Sequence, residues 1–275
     1  MLADLHVHTW FSDSTRSPEE AAREAKARGI GIIAVCDHNT VAGHSRAAAA
    51  CAGVGIGFIP GVEIDAAYEA GYQHILAYGC DFVDPSLSAM LTDVRGLMEQ
   101  VSIDLIRRMS ADDPRLDPAE YAQYERDTSR GGWKGIDYLR SKGLEAAYPA
   151  CMEYYARYRC RTGGFRPVEE VTGAIHASGG LAILAHPGDR LPEEGLIAHL
   201  RKLTERGIDG VECHYPAHKP ATLRACLDFC SAHGLCVTAG SDDHGGFAEW
   251  VDGVHYALGE VRVDAGALRL GKLLP

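Results

Sequence analysis

Apolar strand-like runs alternate with helix-like stretches along most of this chain, and few folds accommodate that rhythm. Segment 17–29 opens with Ser17 as a cap and Pro18 at the first helical position, carries its acids early and its bases late, and closes on Gly29. The run 30–38, IGIIAVCDH, reads as a buried strand ending in two polar residues. A helix at 44–53, a strand at 55–64 and a strand-like run at 72–81 follow. From residue 167 the rhythm resumes, with the strands LAILAHP, GVECHYP and LCVTAGSDDH separated by helices. This order predicts parallel strands with helical crossovers, closed into a barrel or wound into an open sheet. Residues 85–165 break the pattern with a long amphipathic stretch and a polar, proline-punctuated segment. The expected organisation is therefore one α/β domain, formed by 1–84 and 166–275, with a helical insertion at 85–165 covering one end. A chain of 275 residues is long enough to bury such a core.

Chemistry concentrates where the strand-like runs end. In DLHVHTWFSDS, residues 4–14, Leu5 and Val7 alternate with His6 and His8, so both imidazoles leave one strand face about 6–7 Å apart. Asp13 lies just beyond. The next runs end in Asp37-His38 and in Gly61-Val62-Glu63, and the fourth contains His74. The last three end in Ala185-His186-Pro187, Cys213-His214 and Gly240-Ser241-Asp242-Asp243-His244. A bare HxH is as readily two polar residues on a wet strand face. Seven successive runs each carrying His, Asp or Glu demand a common cause, and a parallel barrel gathers its site at the carboxyl ends of its strands.

The bulk composition narrows the function classes. A net charge of −11 opposes general affinity for nucleic-acid backbones, though bound divalent cations would still let an acidic protein hold a phosphate. No run of 18 apolar residues occurs, so no membrane span is expected, and the N-terminus lacks a signal-peptide pattern. Nine scattered cysteines without a CxxC pair suggest reduced thiols and a cytoplasmic location.

Imidazole and carboxylate without thiolate suit zinc, manganese or iron(II). His6, His8, Asp13, His38, Glu63, His74, His186, Asp242 and His244 exceed the three or four ligands one catalytic ion takes, so more than one ion is expected. A carboxylate can lend one oxygen to each of two ions, which makes Glu63 the expected bridge. A water or hydroxide between those ions would be a nucleophile at working pH.

The order HxH…D, DH, GVE, a lone strand His, AHP and GSDxH resembles the PHP (polymerase and histidinol phosphatase) superfamily, over the whole chain apart from the insertion and the last residues. The resemblance implies a distorted (β/α)7 barrel carrying up to three divalent ions. The first would take His6, His8, Glu63 and Asp242, the second Glu63, His74 and His186, the third Asp13, His38 and His244. It also implies a stand-alone metal-dependent phosphoesterase acting on a small phosphorylated metabolite, a nucleotide or sugar phosphate, as a monoester or a cyclic diester. The segment SRGGWKGIDYLRSKG is similar to the insertion of such enzymes, in which an arginine holds a substrate phosphate, and this role carries over to Arg130.

Glu63, Asp242 and His214 are the candidates for a direct part in catalysis. Lys134 and Arg190 are further candidate phosphate contacts, although Lys134 also reads as a charge on a helix face. His214 and His218 read as substrate contacts or proton donors, or as parts of a polar loop. Asp37 reads as a carboxylate orienting a histidine and Asp243 as solvent-facing, while His44, His176, His199 and His233 fall on helix patterns away from the site. Competing readings are a 3′–5′ exonuclease of the proofreading type, a metal-dependent amide hydrolase, for which the strand ends lack a bridging lysine, and a structural metal-binding domain. No stable nucleic-acid partner is expected, and the sequence leaves the oligomeric state open.

Overall fold

The computed structural model describes residues 1–69, 71–144, 148–160, 164–191, 194–247 and 256–273. Its first part runs β1 (Leu2–Val7), α1 (Pro18–Ala27), β2 (Ile30–Val35), α2 (His44–Val54), β3 (Gly57–Tyr68) and β4 (Gly71–Tyr78). Next come α3 (Pro85–Met109), α4 (Pro118–Gln123), α5 (Lys134–Ser141) and α6 (Tyr148–Arg157). The strand–helix order then returns with α7 (Val168–Ala177), β5 (Leu181–Leu184), α8 (Pro187–Arg190), α9 (Leu196–Glu205), β6 (Gly210–His214), α10 (Pro220–His233), β7 (Cys236–Ala239) and β8 (Val263–Asp264). Local chemistry sets the boundaries. Ser17 accepts from the Glu20 amide while Glu20 caps Ser17 in return, which fixes the start of α1.

The strands form one sheet in the order β7-β6-β5-β4-β3-β2-β1-β8. It closes on itself through the chain leaving β7. The Asp242 amide donates to the His6 carbonyl (2.8 Å) and the His8 amide to the Asp243 carbonyl (3.0 Å), so β1 has a neighbour on both sides. The result is a nearly closed barrel of the distorted (β/α)7 kind. One core cluster joins Leu5, Ile64, Leu76, Ile183, Val211 and Val237 to the inner faces of α7, α9 and α10. Another packs Ile33 and Val35 under α1 and α2.

The expectation of parallel strands throughout needs correction. β4 runs antiparallel to both β3 and β5. Tyr68 pairs with Gly71, leaving two residues for the connection, and a helical crossover needs a dozen or more. The reversal brings the first half of β4 to the mouth where the other strands end, which is why His74 sits near a strand's start and still faces the site.

Helices α3–α6 hold their own apolar cluster, including Leu105, Ile106, Tyr121, Ile136 and Leu139. The first turns of α3 belong instead to the barrel core through Leu87, Met90 and Leu91. None of the nine cysteines is in a disulfide. Among the described residues no helix is long and apolar enough to cross a membrane.

Candidate metal centre

The strand ends bring the nine imidazoles and carboxylates singled out above to one mouth of the barrel. His6 and His8 leave the same face of β1, as the alternation requires, and both are fully buried. His186 and Asp242 stand at positive φ (24° and 56°), a backbone cost that non-glycine residues accept where a side chain must be aimed.

Four atoms form the first group. His6 Nε2 lies 3.1 Å from His8 Nε2, 3.2 Å from Glu63 Oε2 and 3.3 Å from Asp242 Oδ1. His8 Nε2 lies 3.2 Å from the same Glu63 oxygen and 3.0 Å from the same Asp242 oxygen. Five of the six edges of this group are 3.0–3.3 Å, and a regular tetrahedron of that size has its centre about 2.0 Å from each vertex, the length of a zinc–nitrogen or zinc–oxygen bond. The protonation pattern agrees. His6 Nδ1 faces the Glu212 carboxylate at 3.1 Å, so it carries a proton and leaves Nε2 to point its lone pair inward. Glu63 Oε2, Asp242 Oδ1 and Asp13 Oδ1 are buried without a hydrogen-bond donor. Buried oxygens left this way are costly unless a cation meets them, so the donor set fits a divalent metal.

Two further groups adjoin the first. On the other side of Glu63, Oε1 lies 2.7 Å from His74 Nδ1 and 3.1 Å from His186 Nε2. Asp13 forms the third, with Oδ1 3.4 Å from His244 Nε2 and Oδ2 3.8 Å from His38 Nε2. His38 spans two groups, since its Nδ1 lies 3.2 Å from Glu63 Oε2. Burial pushes the Glu63 carboxyl up, but His74, His38 and His6 outweigh it and hold the group well below the usual carboxylate range. Burial alone would lower His244, yet Asp13 and Asp242 raise it to about 10, whereas His38 is pushed down by burial to about 4. A divalent ion would displace the proton that His244 otherwise holds.

The supporting carboxylates escaped sequence reasoning. Glu212, fully buried on β6, binds His6 Nδ1 and accepts from the His186 amide (2.9 Å), fixing two imidazoles at once. Asp65 holds His74 Nε2 at 3.1 Å and is itself held by the Asn39 amide group at 2.5 Å. The carboxyl parity of β3 and β6, with Glu63–Asp65 and Glu212–His214 at a spacing of two, was the available signal. Such partners set the tautomer and aim of a ligand. Glu212→Gln is expected to weaken metal binding by about 10–100-fold with little change in the melting temperature of the metal-free chain, as a metal titration of both proteins would show.

Among the described residues Asp37 touches no imidazole directly and reaches His8 through Ser12, whose Oγ lies 3.4 Å from His8 Nδ1. It accepts from the Thr9 amide (2.8 Å), Thr9 Oγ1 (2.6 Å) and Ser12 Oγ (2.7 Å), bracing the loop that carries Asp13. Asp243 is buried, with Arg16 Nε at 2.9 Å and the Leu258 amide at 3.2 Å, because its backbone completes the barrel. Lys134 turns into the insertion, 3.6 Å from Glu99 and over the Tyr121 ring. Both ring nitrogens of His218 are engaged, Nδ1 with the Cys213 carbonyl (2.9 Å) and Nε2 with the Gly188 amide (3.1 Å). His214 stands half-buried at the end of β6, its basicity lowered by burial and by His218. Arg130 is fixed by Asp137 at 2.6 Å and the Tyr124 hydroxyl at 2.9 Å. The Arg190 side chain lies outside the described residues. His44, His176, His199 and His233 bind the Gly61 carbonyl, Asp209, Tyr68 and the Phe229 carbonyl, away from the cluster.

Comparison with known proteins is consistent with this geometry. Residues 4–157 match the PHP domain. The chain is 31% identical over 270 residues to phosphoribosyl 1,2-cyclic phosphate 1,2-diphosphodiesterase of Eggerthella lenta, covering 90% of this chain and 95% of that protein. It is 27% identical to 3′,5′-nucleoside bisphosphate phosphatase of Chromobacterium violaceum, with 88% and 86% covered. It is 26% identical to a 5′-3′ exoribonuclease of Escherichia coli, with 89% and 85% covered. A solved structure of a Bifidobacterium adolescentis protein assigned as a metal-dependent phosphoesterase superposes with a TM-score of 0.77 at 26% identity, covering 96% of this chain and 93% of that one.

Proposed function

The chain belongs to the PHP domain family and is a metal-dependent phosphoesterase, and from this premise we propose that it hydrolyses a small phosphorylated pentose, as a cyclic phosphodiester or a phosphomonoester. The observation that carries this reading is the convergence of Glu63, whose two oxygens face separate imidazole sets, with orphaned oxygens on Glu63, Asp242 and Asp13. The three relatives support the substrate class, since a phosphoribosyl cyclic phosphate, a nucleoside bisphosphate and RNA all present phosphate esters on a pentose.

Three divalent ions, of manganese, zinc or iron, fit the donor set. His6, His8, Glu63 and Asp242 would hold the first, Glu63, His74 and His186 the second, Asp13, His38 and His244 the third. Bound there, such ions supply an activated water and stabilise charge on the phosphoryl oxygens. The chain's own groups do the rest. Glu212 and Asp65 keep His6 and His74 in the tautomer that presents a lone pair. Arg130, oriented by Asp137 and Tyr124, offers its remaining nitrogen to a substrate phosphate. His214 protonates the leaving oxygen, since His218 has both nitrogens engaged. The insertion, docked on the Asp13 loop through Arg126 and Gly132, limits the site to small esters. The cysteines, none of them in a disulfide, support a cytoplasmic location.

An exonuclease is the second reading, now favoured in the 5′-3′ rather than the 3′–5′ direction by the Escherichia coli relative. The net charge of −11 argues against it. Assay of the manganese-loaded protein on bis-p-nitrophenyl phosphate, p-nitrophenyl phosphate, a ribose cyclic phosphate and a 5′-phosphorylated oligoribonucleotide separates the two. Hydrolysis of the small esters, lost on chelation, is expected. Absence of turnover on every small ester after reconstitution would refute the proposal, and degradation of the oligonucleotide alone would establish the nuclease.

A further inference from the structure

The loop carrying Asp13 is held from outside the barrel. Arg126, in the segment between α4 and α5, donates from Nη1 to the carbonyls of Ser12 and Gly132 and from Nη2 to the carbonyl of Trp10. One planar guanidinium thus ties the loop after β1 to the insertion, a geometry that a single ammonium does not reproduce. The Gly132 amide then donates to the Asp13 carbonyl itself at 2.6 Å. Gly131 makes this approach possible. At φ +65° a side chain is disfavoured, and a Cβ there would lie 2.8 Å from the Asp13 carbonyl oxygen and 2.5 Å from Phe247 Cβ.

Phe247 extends the same contact to the loop of His244, because its amide donates to the His244 carbonyl at 3.3 Å. His38 is reached too. Arg95 on α3 donates from Nη1 to Thr40 Oγ1 (3.4 Å), two residues beyond His38. Within the barrel, Asp37 braces the first part of the Asp13 loop at Thr9 and Ser12. All three loops that carry Asp13, His38 and His244 therefore touch the insertion, whereas His6 and His186, one from each of the two groups that share Glu63, are fixed by Glu212 from within the sheet.

We infer that the insertion assembles the third metal site, with Arg126 as the positioning residue that holds Asp13 opposite His38 and His244. The inference rests on the three-ion reading above and adds a cause for it. The first two sites draw most of their ligands from barrel strands and strand ends, with Asp242 on a loop that touches the insertion, while all three ligands of the third lie on such loops and depend on the docked turn 126–132. Loss of Arg126 removes charge-assisted donors from three carbonyls and frees the Asp13 loop without touching any ligand.

The test is metal stoichiometry and affinity, read by calorimetric titration and by elemental analysis after desalting, on the full chain and three variants. The unaltered protein is expected to load three ions. Arg126→Ala and Gly131→Ala are each expected to weaken one of the three by about 10–100-fold and leave the other two unchanged, with Arg126→Lys intermediate. Melting of the metal-free proteins checks that each is folded. Should Arg126→Ala fail to fold, Gly131→Ala and Arg126→Lys carry the same comparison. If the unaltered protein loads three ions and the folded variants load them equally well, the inference is overturned while the three-ion reading stands. If the unaltered protein itself loads only two, that reading falls, and this one with it.

Discussion

Glu63→Gln is expected to abolish hydrolysis while leaving the fold in place. The side chain is buried at the point where β3 meets the mouth, and its two oxygens serve two different groups of imidazoles. Glutamine keeps the shape but replaces one oxygen by an amide nitrogen that has no lone pair to offer. One of the two groups then loses its shared donor. Metal-assisted stabilisation of a phosphoryl transition state is worth several kcal/mol, so a fall in kcat of about 10³-fold or more follows. Circular dichroism should be unchanged, and metal content should fall below that of the parent protein. A variant within tenfold of the parent would show that the reaction does not depend on this carboxylate.

Gly240→Ala is expected to unfold the chain more readily than any conservative change at the site. Gly240 follows β7 where the barrel closes, with its amide donating to the His214 carbonyl at 3.1 Å. A methyl group there would overlap His6 Cβ and Glu212 Oε1 and lie 3.0 Å from the His6 amide nitrogen. Neither the Cβ nor the amide of His6 can rotate aside, so β1 and the β7 exit must separate. Overpacking of this kind costs about 3 kcal/mol, which corresponds to a fall in melting temperature of about 5–10 °C. The same displacement moves His6 away from Glu212, so metal affinity should drop with stability. An unchanged melting curve would mean that the barrel does not close at this position.

Much of this architecture is legible in the chain because its causes are local. Alternation in DLHVHT puts His6 and His8 on one face, and polar residues after each apolar run mark the mouth. What remained hidden depends on partners remote in sequence. Glu212 looks like an ordinary strand residue until the fold sets it against His6, 206 positions away. The reversal of β4 hinges on a connection of two residues that apolar patterning cannot distinguish from a longer link. Arg126 sits in a polar stretch with no periodic signal, and only docking on Trp10 and Ser12 reveals it. Arg130 and Lys134 were legible as cations, but their carboxylate partners Asp137 and Glu99 were not.

Anomalous diffraction from crystals of the manganese-loaded protein tests the central claim most directly. Peaks are expected on both sides of Glu63, one within bonding distance of His6, His8 and Asp242 and one beside His74 and His186, about 3.5–4 Å apart. A phosphoesterase-active crystal with its manganese elsewhere, and nothing bound to Glu63, would contradict the account.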